Sequence, residues 1–185
     1  MKPIFTIHAG EYLVGEALEK LSKDYEVWIP AKDKGTDLLV TSKNDRSKNI
    51  GLQVKFSKDF LPEMEAKYHT NLLACGWWTL KQEKINESNA DLWILAPYSF
   101  ANKHIEFIII DPKTLSEKLR NIHGDKSLFN LYLWITKDNK CFESRGLSKI
   151  EMEQIISNSF VNDQRDFTKY LNAWDAIHTR LEIKG

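Results

Sequence analysis

The stretch GTDLLVTSKNDRSKNIGLQVKFS, residues 35–57, holds two short apolar runs joined by a polar segment. Thr36 to Ser42 and Ile50 to Ser57 are rich in Leu, Val and Ile and read as strands, with Lys43 to Asn49 as the turn between them. In Leu52-Gln53-Val54-Lys55-Phe56, strict alternation puts the three apolar side chains on one face and Gln53 and Lys55 together on the other. Asp37 opens the first run, at the start of a strand whose other residues ask to be buried. If the runs pair as a hairpin, Asp37 lies beside Gln53 and Lys55 at one end of a sheet.

Outward from this hairpin, Tyr25 to Pro30 reads as a further strand, and short connections make the three strands an antiparallel meander. Before it, Ala9 to Asp24 has a helical pattern with Val14, Leu18 and Leu21 on one stripe. Glu11 precedes Leu18 by seven residues and falls within about 20° of it on the wheel, at the edge of the core-facing stripe, whereas Glu16 points nearly opposite. The bland reading of Glu11 is an acid favoured by the helix dipole.

Beyond the hairpin, Pro62 to Ile85 reads as helix, with Leu72, Leu73, Trp77 and Leu80 spaced for a buried face. Asp91 to Ala96 and Ile105 to Asp111 read as strands, and Asp111-Pro112 starts another helix. Leu131 to Thr136 is a further strand, and Ser148 to Asn158 and Arg165 to Leu181 are closing helices. In the last of these, Phe167, Tyr170, Leu171, Trp174 and Ile177 form a core-packing stripe. The fold class expected is α/β, an open mixed β-sheet flanked by helices.

With 185 residues, 42% hydrophobic and 28% charged, the chain has the composition of one globular domain. No repeat, low-complexity segment or linker divides it. The start of the chain carries no signal-peptide pattern, and no run approaches the roughly 18 apolar residues of a membrane span, so the expectation is a cytoplasmic protein with no membrane partner. Cys75, in the expected helix, and Cys141 lack CxxC spacing and read as reduced thiols. Lys+Arg and Asp+Glu are equal at 26 each, which argues against avid non-specific DNA binding but leaves room for a local basic surface. Lys32, Lys34, Lys55, Lys58 and Lys67 could form such a rim. The five histidines show no ligand spacing; His8, three residues before Glu11, is the one near the proposed site. Among the tryptophans, core packing outweighs stacking on nucleic acid.

An acid on one strand, an oxygen donor on the next and a lysine two residues on supply the parts that phosphodiester hydrolysis needs. They are charge neutralisation at the phosphate and an activated water. Oxygen ligands of this kind suit Mg²⁺, or Mn²⁺ in its place. Lys55 could position the water and offset the charge that develops on the phosphorane.

On Gly10-Glu11-Tyr12-Leu13-Val14, Gly35-Thr36-Asp37-Leu38-Leu39-Val40 and Gln53-Val54-Lys55, the sequence resembles the PD-(D/E)XK nucleases, which include restriction endonucleases and Holliday-junction resolvases. The motifs cover residues 8–57, and the order of elements extends the likeness to about residue 111. Residues 112–185, a C-terminal α/β extension, have no match. The resemblance implies a restriction endonuclease-like αβββαβ core. It makes Asp37 a metal-binding aspartate, Lys55 the catalytic lysine, Glu11 the helix-one glutamate that completes the site, and the Val54 backbone carbonyl a further ligand. Gln53 takes the place of the second acidic ligand and departs from the pattern, since its amide oxygen can bind a metal but brings no negative charge. The function implied is a Mg²⁺-dependent DNA endonuclease, with a symmetric dimer expected by analogy with part of the family. The alternative is a non-cleaving module of the same fold that binds nucleic acid or a protein partner.

Overall fold

A computed structural model describes residues 8–31, 35–100 and 103–183. Helix α1 (Ala9–Leu21) leads into strands β1 (Tyr25–Trp28), β2 (Leu38–Ser42) and β3 (Asn49–Lys58). These pair antiparallel in chain order, with Val27 opposite Val40 and Val40 opposite Ile50. The turn between β2 and β3 closes on the Asp45 side chain, which accepts from the Ser47 backbone N–H at 3.0 Å and the Ser47 hydroxyl at 2.6 Å. After β3 come β4 (Leu72–Lys81), the short helix α2 (Gln82–Asn86) and β5 (Leu92–Ser99), which returns parallel to β3 with Val54 beside Ile94. β6 (His104–Ile105) and β7 (Ile108–Ile110) then pair antiparallel with β5. The result is a mixed open sheet in the order β1-β2-β3-β5, edged by β6 and β7.

Both faces of this sheet are covered, so β5 is apolar along nearly its whole length rather than alternating. On one face Leu52, Val54, Ile94 and Ile109 pack with Val14 and Leu18 of α1 and with Ile177 and Leu181 of α5 (Asp175–Ile183). On the other, Trp93, Leu95, Ile108 and Ile110 meet Leu115 and Leu119 of α3 (Pro112–His123) and the residues of a second sheet. That sheet is β4-β8-β9, built with β8 (Leu128–Thr136) and β9 (Cys141–Glu143). Its Cys75, Trp134 and Phe142 pack in turn against Ile155 of α4 (Lys149–Ile156). Helix starts follow local rules: Asp111 caps α3 by accepting from the Thr114 N–H at 2.9 Å, with Pro112 next, and Ser148 and Glu151 form a capping box on α4.

Two stretches depart from expectation. Residues 62–85 are not one helix: two 3₁₀ turns (Leu61–Glu63 and Ala66–Thr70) precede ten residues of β4 and one turn of α2. From Gly76 onward the burial in β4 alternates, with Gly76, Trp78 and Leu80 inside while Trp77 and Thr79 face out, and ahead of it Ala74 and Cys75 are both buried. Pairing with β8 from Leu72 to Lys81 holds the alternation in place. Cys75 therefore sits in a strand. At Gly76 a Cβ would lie 2.4 Å from the Trp78 ring, so the side-chain-free position lets that ring fold back along the strand. Residues 165–174 are likewise not helical, apart from a 3₁₀ turn at Thr168–Tyr170. Phe167 packs on one side of the large sheet and Ile177 on the other, a span no single helical stripe can make. Smaller differences are that α1 stops at Leu21, which is exposed, and that the strand expected at 105–111 breaks into β6 and β7. Among the described residues no helix is long and apolar enough to cross a membrane.

Candidate active site

The site lies just ahead of the start of β2. β2 and β3 are in register as far as Leu38 opposite Leu52, and the Asp37 N–H still donates to the Leu52 carbonyl at 2.8 Å. β3 runs on to Lys58 beside β5, so its other edge extends past the start of β2. The Asp37 carboxylate occupies that edge: Oδ2 accepts from the Val54 N–H at 2.7 Å and from the Gln53 side-chain amide. Within a strand the N–H and C=O of one residue point to the same side, so the Val54 carbonyl turns to this edge too. Gly51 seats the arrangement. Its N–H donates to Asp91 Oδ2 at 2.8 Å, and a Cβ there would crowd Thr36 Cγ2 at 3.1 Å, so the residue before Asp37 can lie against β3.

Glu11 arrives on α1. Gly10 is buried against Phe56, where a Cβ would stand 2.7 Å from the Phe56 Cβ, and this close approach brings the first helical turn down onto β3. Glu11 is half-buried, and its Oε2 accepts from the His8 backbone N–H at 3.1 Å. It thus caps the helix while facing the site. Glu11, Asp37, Gln53, Val54 and Lys55 line one pocket of about 450 Å³, together with His8 and Phe56. All the side chains expected to act together are brought together.

Lys55 lies on the opposite face of β3 from Val54, with its ammonium 5.4 Å from the centroid of the buried Trp93 ring. Register explains the contact, because Gln53 sits beside Trp93 in the parallel pair. Lys55 and Gln53 also line a second pocket of about 550 Å³, closed by Gly35, Trp93, Lys84 of α2 and the turn Glu87-Ser88-Asn89. The sequence reading missed this wall because residue 84 fell inside the supposed long helix. The signal available was the Glu87-Ser88-Asn89 polar cluster before an apolar run, which marks a turn.

The expected basic rim is only partly present. Lys32 and Lys34 lie outside the described residues. Lys58 pairs with Glu63 at 3.1 Å, and Lys67 lies 3.5 Å from Glu65 and 3.8 Å from Glu153. The histidines other than His8 are engaged elsewhere, His104 with Glu106 and His178 with Tyr25, for example. Trp78, Trp93 and Trp134 are core, while Trp77 is 49% exposed.

As donors for a cation the pocket offers two carboxylates, an amide oxygen and a peptide carbonyl. Among the described residues no set of three or more His, Cys, Asp or Glu is gathered for a metal ion. Two carboxylates with neutral oxygen donors is nonetheless the kind of set that Mg²⁺ takes, since it keeps several waters and completes its shell with substrate phosphate. Gln53 directs its amide nitrogen at Asp37, which leaves its oxygen as the donor atom. No model of a known protein family matches the chain, and no curated protein matches it.

Proposed function

We propose that this protein is a metal-dependent endonuclease of the PD-(D/E)XK type that hydrolyses phosphodiester bonds in DNA. The observation that carries the reading is the convergence of Glu11, Asp37, Gln53 and Lys55, from α1, the residue before β2 and β3, on one pocket at the β2–β3 edge. The antiparallel meander after α1 and the mixed sheet support it as well. The helix implied between the third and fourth core strands is here replaced by β4 and the single turn of α2.

Asp37, Glu11, the Gln53 amide oxygen and the Val54 carbonyl would hold Mg²⁺, with Mn²⁺ able to substitute. When bound, the ion supplies charge neutralisation at the phosphate and activation of water. Lys55 orients the attacking water and offsets the charge that develops on the phosphorane, held for that task over Trp93. Gln53 fixes the Asp37 carboxylate through its amide N–H.

A second reading, a module that keeps the fold without cutting, is favoured by one observation. Asp37 Oδ2 already accepts two hydrogen bonds from its own sheet, which gives the carboxylate a structural task. Supercoiled plasmid incubated with Mg²⁺ or Mn²⁺ at low salt separates the two. Nicking by wild type that is abolished in both Asp37→Ala and Lys55→Ala, with both variants still folded at the assay temperature, is the expected result. Equal cutting by all three proteins would sink the mechanism, and cutting by none would favour the module.

A further inference from the structure

We propose that the pocket between the turn after α2 and Lys55 is a nucleotide subsite, which takes the unit next to the scissile phosphate and binds its phosphate through Lys84 and Ser88. The inference rests on the nuclease reading above and adds the path of the substrate strand.

The two pockets share Gln53 and Lys55, so a phosphate held at Lys55 lies where the cavities meet. A polynucleotide bound there must continue through one of them. Their chemistry differs. The α1 side carries Glu11 and Asp37, which repel a phosphate unless a cation lies between. The α2 side is rich in donors. Lysine donates only, and both Lys55 and Lys84 line it. Ser88 is made a donor by its surroundings: its Oγ accepts from Trp93 Nε1 at 2.8 Å and from the Ala90 N–H at 3.2 Å. A hydroxyl has two acceptor sites and one hydrogen, so what remains to offer a ligand is the O–H. Three donor groups around one cavity match the acceptor-only oxygens of a phosphodiester. Glu87, the carboxylate in this lining, suits a base amine or a sugar hydroxyl instead, and the Asn89 amide can meet either a donor or an acceptor. The acid-lined half therefore serves the cation and the donor-lined half the continuing strand.

The test is binding of a fluorescein-labelled duplex oligonucleotide to the full chain across a salt series, with Ca²⁺ in place of Mg²⁺ as an oxygen-seeking ion. Lys84→Ala should weaken binding by about threefold or more and reduce the slope of log K against log salt by about one. Lys84→Arg should restore both, and Lys113→Ala, at an exposed lysine on α3, should change neither. Wild-type binding that Lys84→Ala leaves unchanged in strength and slope overturns the subsite while the nuclease reading stands. Failure of wild type to bind any duplex or single strand removes the nuclease reading and the subsite with it.

Discussion

Gln53 is where the site's chemistry is most open to change. Its amide N–H and the Val54 N–H share one Asp37 oxygen, an arrangement that a neutral side chain satisfies without metal. A glutamate there would set two carboxylates against each other, an arrangement that favours protonation of one or binding of a cation between them. Gln53→Glu should therefore melt lower than wild type in EDTA at neutral pH and gain a larger rise in melting temperature with Mn²⁺. A metal-induced rise no larger than that of wild type would remove residue 53 from the proposed metal site.

At the scale of elements, the distance of α1 from β3 decides whether Glu11 lines the pocket with Asp37. Gly10 sets that distance, since the Phe56 atom it would meet at 2.7 Å is a Cβ fixed to the strand and unable to swing aside. Gly→Ala inside a helix gains about 1 kcal/mol of propensity, less at the second helical residue, where the chain is only half committed. Overpacking costs about 1–3 kcal/mol, so the clash wins. Gly10→Ala should lower stability in urea melts and, on the proposed nuclease function, lose more nicking activity than its stability deficit explains, because Glu11 is carried off with the helix. A variant more stable than wild type would show that α1 is not held this tightly.

Across the whole molecule, Glu143 joins three distant segments. It is fully buried on β9, hydrogen-bonds Arg165 and accepts from the Arg145 N–H at 3.0 Å, and its Oε1 lies 3.3 Å from His123 Nε2 at the end of α3. Burial pushes the Glu143 carboxyl up to about 7 against the pull of Arg165. Burial, with Arg165, Lys126 and Arg145 nearby, brings His123 down to about 4. The linkage signs are opposite. Glu143, raised from 4.5, contributes stability that is full below that value and is lost as pH rises to about 7. His123, lowered from 6.5, contributes stability present above 6.5 and lost as pH falls toward 4. Between pH 4.5 and 6.5 the two offset each other. In urea melts over that window, His123→Gln should lack the His123 contribution, so wild type should gain stability relative to the variant as pH rises. A stability difference independent of pH would mean that His123 is not held neutral.

The sequence by itself determined the parts whose signals are local. The β2–β3 hairpin, the alternation that separates Gln53 and Lys55 from Val54, and the capped starts of α3 and α4 each depend on residues within a few positions of one another. Only the tertiary structure decided the rest. Residues 72–81 carry apolar side chains that satisfy a helical spacing and a strand alternation alike, and pairing with β8, some fifty residues away, chose the strand. The parallel return of β5 placed Trp93 under Lys55 and opened the second pocket. Packing on both faces of the large sheet split residues 165–181 between Phe167 on one side and Ile177 on the other. Local propensity differs by tenths of a kcal/mol per residue, whereas burying one large side chain contributes about 1.5–3 kcal/mol, so partners remote in sequence settle any stretch whose local preferences are nearly balanced.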